Sequence, residues 1–296
     1  MTTPVDPKRV ALKPRNVAWD WSGLAAHYLD GNPVATHFIN AFNMLLPEGE
    51  VFFVRTFQEA LPFVTDESVR QDVLGFIGQE ATHSAAHESV LEHLAAEGLP
   101  TAAFTDQIRW FFRGLLGDRN LSGAQRHSWL VQRGAIVAAL EHVTSYLGNW
   151  GLNAQAWDIA MEPRMRDLLL WHLAEEVEHR HVAFDLFNHL DGNYIRRIRA
   201  HLIAFPTFML LAYRGLQYLA AADQGAPNNP IKVFIAYLRA TRKKLIPGLA
   251  DVVAMALEYF RPRYHPSNYG STSQAVSYLA SSPAALAAAI ALEDPA

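Results

Sequence analysis

The sequence of 296 residues contains no cysteine. That excludes disulfides, thiolate metal sites and cysteine nucleophiles, and any bound metal must be held by nitrogen and oxygen. Long apolar runs are missing too. The most apolar stretch, Leu202 to Tyr213, contains Pro206 and ends at Arg214, whereas a membrane-spanning helix needs about 20 residues. No transmembrane segment is expected. Basic runs are equally scarce: the formal net charge is -4 and the densest cationic stretch is Arg242-Lys243-Lys244. This is too short to track a phosphate backbone, so nucleic acid is not an expected partner. The N-terminal MTTPVDPKRV is polar and proline-broken and lacks the apolar core of a secretory signal, so a cytoplasmic location is expected.

What the chain does contain is apolar residues, about half of the total, arranged with the 3.6-residue period of helices and almost no alternation of period two. The fold class expected is all-α. Residues 1–32 read as an irregular arm with Trp19 and Trp21 as anchors. A first helix starts at Pro33, is interrupted or restarted at Pro47 and continues to about Phe63. Asp66-Glu67-Ser68 carries N-cap chemistry for a helix to Glu97, ended by Gly98 and Pro100. Further helices are expected over 104–116, 122–148, 163–190 and 195–222, followed by a loop at 225–230 and two shorter helices to Arg261. A main domain over 33–265 results. The tail, 266–296, is rich in Ala and Ser and is expected to be poorly ordered or to form one short docking helix.

The polar residues inside the apolar stripes carry the chemistry. Helix positions three, four and seven apart share a face. In WHLAEEVEHRH, that rule puts His172, Glu176 and His179 on one stripe with Leu169 and Ala183, while Glu178, His181 and Asp185 point away and Glu175 borders the stripe. In QEATHSAAH, Glu80, His83 and His87 share a stripe with Val73, Phe76 and Leu91. Glu141 lies on a face of small residues that includes Gly134, Thr144, Ser145 and Gly148, leaving room for a substrate there. Glu50 shares its stripe with Phe53 and Phe57, and Glu59 falls opposite. One Glu from each of two helices and Glu-x-x-His from two others is the ligand pattern of a dinuclear carboxylate site in a four-helix bundle. Charge points the same way: four buried carboxylates repel unless protonated or bound to cations, and two divalent metals would cancel them.

These motifs resemble the family of predicted metal-dependent hydrolases, a ferritin-like group, through GEVFF at 49–53, FIGQEATHSAAH at 76–87, EHVT at 141–144 and WHLAEEVEHRHVAFD at 171–185. The resemblance implies a ferritin-like four-helix bundle with a dinuclear metal centre and additional C-terminal helices. The triplet His172, Glu176, His179 is also similar to the last ligand helix of arylamine N-oxygenases, di-iron enzymes with a third histidine. This implies a metal set of Glu50, Glu80, His83, Glu141, His172, Glu176 and His179. His87 falls outside that pattern, between a ligand role and an orienting one, and Glu175 is a candidate partner to a histidine.

The leading expectation is therefore an oxidoreductase: two Fe ions, with Mn or Zn also suited to the ligands, using O2 and an external electron donor to oxidise a small apolar or aromatic substrate. The alternative is hydrolysis of an ester or phosphate. Iron storage fits less well, because the helices after Leu190 exceed a storage bundle; Phe205, Phe208 and Met209 on them would line a substrate cavity. The oligomeric state is left open, a homodimer included.

Overall fold

The computed structural model describes residues 9–293, and among them helices account for nearly all regular structure. In chain order these are α1 (Pro33–Ala60), α2 (Glu67–Ala96), α3 (Thr101–Arg109), α4 (Gly123–Leu152) and α5 (Trp157–Ala160). Then follow α6 (Pro163–His179), α7 (Val182–Leu190), α8 (Tyr194–Ala222), α9 (Pro230–Arg242), α10 (Leu249–Glu258), α11 (Thr272–Leu279) and α12 (Pro283–Glu293). The one extended pairing among the described residues is a bridge between Leu29 and Met161. No single described helix is long and apolar enough to cross a membrane.

Helices α1, α2, α4 and α6 form the bundle. α1 lies along α2, α4 lies along α6, and α8 closes the bundle against α1 and α4. The α4–α6 contact depends on a missing side chain: a Cβ on Gly148 would lie 2.8 Å from the carbonyl oxygen of Leu173 and 3.3 Å from Cβ of Glu176. The two backbones approach that closely only because position 148 is glycine. The N-caps follow the sequence, with side chains of Asn32, Asp66, Asn193 and Asn229 accepting from the first turns of α1, α2, α8 and α9.

Three sequence expectations are corrected. Helix α1 does not restart at Pro47 but runs through it. The proline lacks an N–H and so removes one ladder bond, that to Asn43, yet the flanking turns are buried against α2 and hold the helix together. Conversely, the expected helix over 163–190 is two, because Arg180 folds back at its end. Its guanidinium donates to the carbonyl of Val177 and, at 3.0 Å, to Thr272 Oγ1, a side-chain cap on the last carbonyls of α6. Finally, the tail is two helices rather than one, and α11 packs against α6 with Thr272, Ala275 and Leu279 buried.

The N-terminal arm is irregular, as its prolines suggest. It is held by Trp19 Nε1 donating to Asp167 (3.2 Å) and Trp21 Nε1 donating to Ser89 (3.0 Å), with the two indoles stacked 5.9 Å apart. It crosses α2 where a Cβ on Gly75 would sit 2.5 Å from Cβ of Leu12. That close approach carries Arg15 onto the outer face of α6.

Candidate metal centre

The seven residues expected as ligands come together between α1, α2, α4 and α6, and all are buried. They fall into two adjoining groups: Glu50, His83 and His172, and Glu80, Glu141, Glu176 and His179, with the donor atoms of each group within 4.8 Å of one another. Glu176 spans the two. Its Oε1 lies 2.9 Å from His172 Nε2, and its Oε2 lies 3.5 Å from His179 Nε2. Glu80 is also shared, with Oε1 at 3.4 Å from His83 Nδ1 and 3.3 Å from His179 Nε2.

Many of these inward atoms make no hydrogen bond: both oxygens of Glu50 and of Glu80, Oε2 of Glu141 and of Glu176, Nδ1 of His83 and Nε2 of His179. Buried polar atoms are normally satisfied. So many converging on one spot fit a cation site, and an all-oxygen and imidazole donor set suits Fe, Mn or Zn. The electrostatics agree. Burial, and next the charge of Glu176, push Glu80 and Glu141 up to about 8. Burial and then Glu80, Glu176 and Glu141 hold Glu50 well above the usual carboxylate range. For Glu176 burial acts upward, but His179 and His172 outweigh it and bring it well below. Burial acts downward on His179, but Glu176 and Glu141 outweigh it and raise it well above the usual imidazole range; without a cation, the centre's negative charge is reduced by protons on its carboxyls and on His179.

The far side of each imidazole is equally informative. His83 Nε2 lies 3.0 Å from Glu175 Oε2, an acceptor that calls for the proton on Nε2 and leaves the Nδ1 lone pair inward. His179 Nδ1 lies 3.1 Å from Gln79 Oε1, which leaves Nε2 inward, and Gln79 Nε2 in turn donates to Glu178 at 3.1 Å. His172 Nδ1 lies 2.7 Å from His87 Nε2, and His87 Nδ1 lies 2.8 Å from Asn43 Oδ1. With the proton of His87 on Nδ1 toward Asn43, its Nε2 accepts from His172, whose own Nε2 then faces the centre. Burial, then neighbouring imidazoles, lower both His87 and His172 and keep them neutral. Each ring is therefore oriented by a partner outside the centre, the arrangement that metal-bound histidines use.

This places His87 behind His172, with its Nε2 3.9 Å from Glu50, and Glu175 behind His83. Glu178 and His181 do point away from the seven, but into protein rather than water. Glu178 accepts from Arg15 Nη1 at 3.1 Å, and His181 lies 3.3 Å from Asp72. The arm covers the face that helical spacing alone leaves open. Arg15 also donates to Glu175 Oε1, so one cation is shared by the two carboxylates behind α6.

The expected substrate side is corrected in part. Thr144 lines a cavity of about 70 Å³ that reaches His172, Glu176 and His87, but Gly134 and Ser145 do not line it. Ser145 Oγ donates to the carbonyl of His142, and the space at Gly148 is filled by α6. Gly148 serves helix contact rather than access. The cavity walls are instead Phe38, Phe42, Leu147, Trp150 and Trp157. Sequence reasoning missed Asn43, Gln79 and Arg15. Asn43 was within reach, since it lies seven residues before Glu50 on the same stripe, whereas nothing in an irregular arm marks Arg15.

A family model described as a predicted metal-dependent hydrolase matches residues 13–270. The chain belongs to that family. The match takes in all seven centre residues and the arm from just before Arg15. No curated protein and no solved structure matches the chain.

Proposed function

We propose that this member of the metal-dependent hydrolase family holds two metal ions in a ferritin-like bundle and hydrolyses a small neutral ester or amide. The observation that carries the metal reading is the inward set of lone pairs on His83, His172 and His179, each fixed by a partner behind it. Glu50, His83 and His172 would hold one ion and Glu141 and His179 the other, with Glu80 and Glu176 between them. Bound there, a metal pair supplies Lewis acidity and lowers the pKa of water.

The chain's own residues do the rest. Thr144, 3.5 Å from Glu141 Oε1, offers the cavity a hydroxyl beside the centre. Phe38, Phe42 and Leu147 limit bulk water. No Lys or Arg lines the cavity, so a phosphate would find no protein cation, and a neutral acyl substrate fits better.

The sequence put oxygen chemistry first, and family membership reverses that order. One observation keeps oxygen chemistry as a second reading: four Glu and two His from four helices match the donor set of di-iron bundles, with His172 added to it, and His172 and Glu176 border a largely apolar cavity. It would require iron, O2 and an external electron donor. Loading the protein with Zn, Mn or Fe(II) without oxygen tests both. Two metals per chain, with neutral ester hydrolysis under Zn or Mn, supports the proposal. A charge-transfer band and O2 uptake by the ferrous form, with no hydrolysis under any metal, overturns it.

A further inference from the structure

The cavity at the centre is too small for a whole substrate. At about 70 Å³ it equals roughly two waters of the liquid. A second chamber of about 310 Å³ adjoins it, and the two share Phe38, Phe42, Leu147 and Pro247. These four stand between the two spaces and would form the neck of a passage joining them: two rings from α1, one side chain from α4, and the proline between α9 and α10. The proline is held in place, since Tyr237 Oη donates to its carbonyl at 2.9 Å. Beyond the neck the chamber is walled by α8, α9 and α10 and opens to solvent beside Phe234 and Leu249, which are 40% and 50% exposed.

The chamber's chemistry is uniform. No Asp, Glu, Lys, Arg or His lines it, and its hydroxyls are those of Tyr213 and Tyr237, the second already used on Pro247. A charged group there would lose its hydration with nothing in return. Of the three residues expected from the sequence to line a cavity, Met209 lines this chamber. Phe208 fronts a separate void with Phe112 and Leu140, and Phe205 lies tilted against His201 with ring centroids 5.2 Å apart.

We propose that the substrate is elongated and uncharged, with a slender reacting end that passes between Phe38, Phe42, Leu147 and Pro247 and an apolar body that stays in the chamber beneath α9 and α10. The substrate class rests on the metal-centre reading, but the division of the site into a small reacting compartment and a larger apolar one does not. A linear acyl or alkyl chain with a compact polar terminus has this shape, whereas a bulky ring at the reacting end would not pass the neck.

The test uses linear methyl ketones of increasing chain length, with matching ketones that carry an ammonium group at the far end of the chain, titrated calorimetrically into the metal-loaded protein, and metal content measured on the same samples. Affinity should rise about fourfold per added methylene until the chamber is full, the value for burying one methylene, and the ammonium-tailed ketones should bind far more weakly because the chamber holds no charged partner. Val252→Trp, which fills the chamber at a residue that does not line the cavity at the centre, should remove the gain for long ketones and leave short ones and metal content unchanged. Affinity independent of chain length, ammonium-tailed ketones binding as well as uncharged ones, or a Val252→Trp protein that binds long ketones normally would each overturn the proposal. Chain-length dependence without bound metal would leave the chamber standing and remove the metal reading instead.

Discussion

The partners behind the imidazoles give the sharpest test of the centre, because they act on separate metal positions. Glu175 accepts from His83, which belongs to the Glu50 and His172 group, whereas Gln79 holds His179 in the other group. Glu175→Gln keeps the volume but offers one oxygen where the structure uses two, since Oε1 takes Arg15 and Oε2 takes His83. One of those bonds must fail and the charge behind His83 is lost. Loss of such an orienting partner typically weakens metal binding by about 10- to 100-fold, equivalent to about 1.4–2.7 kcal/mol. Competitive metal titration should then show one of two binding steps weakened and the other unmoved. Gln79→Met should weaken the opposite step. If both steps stay within about threefold of the parent in well-folded Glu175→Gln protein, against the expected 10- to 100-fold, His83 is not oriented for a metal and the assignment fails.

Three further outcomes follow from the packing and charge. Gly148→Ala places a Cβ 2.8 Å from the Leu173 carbonyl; neither backbone can swing aside, so urea unfolding should show a loss of about 1–3 kcal/mol, and an unchanged midpoint would refute the close α4–α6 approach. Arg15→Ala leaves Glu175 and Glu178 buried without their cation; the loss should fall at or below the about 3–5 kcal/mol of a fully buried pair, because Arg15 is itself partly exposed. The third is acid stability. Burial would raise Asp223, but hydrogen bonds from His27, the Gly225 N–H and His37 outweigh it and hold Asp223 at about 2. Its folded pKa lies below its unfolded one, so its contribution is complete above about 4 and is lost as pH falls toward about 2. Asp223→Asn should flatten the acid limb of an unfolding curve, and an unaltered limb would show that the His27–Asp223–His37 contact does not hold the arm to the end of α8.

The helices and the donor residues were legible for a common reason: both are written in spacing. An apolar stripe interrupted by Glu176, His172 and His179 is visible because a helix repeats every 3.6 residues and because buried carboxylates are expensive enough to be conspicuous. Spacing is silent about where a helix stops for tertiary reasons. Arg180 ends α6 by capping it and reaching Thr272, which lies 92 residues away in sequence, and Pro47 fails to end α1 because neighbours hold both sides of it. Neither outcome depends on local sequence.

The orienting partners show the same limit at the level of chemistry. Asn43 and Gln79 are ordinary helix residues, and only their contacts across the bundle give them a role. A His87 read by spacing alone has the credentials of a ligand, since it continues the stripe of Glu80 and His83. What separates it from His172 is a proton: Asn43 Oδ1 accepts from Nδ1 of His87, so His87 turns its remaining lone pair to His172 and has none left for a metal. In the proposed metal centre, the division between His172 and His87 thus turns on a tautomer that an amide on a different helix selects. Asn43→Leu would free that choice, and His87 could then turn its Nε2–H to His172, forcing the proton of His172 onto the nitrogen that faces the centre. The expected result is a weaker Glu50 group with the Glu80 group intact, the same pattern as Glu175→Gln reached from the opposite side of the bundle.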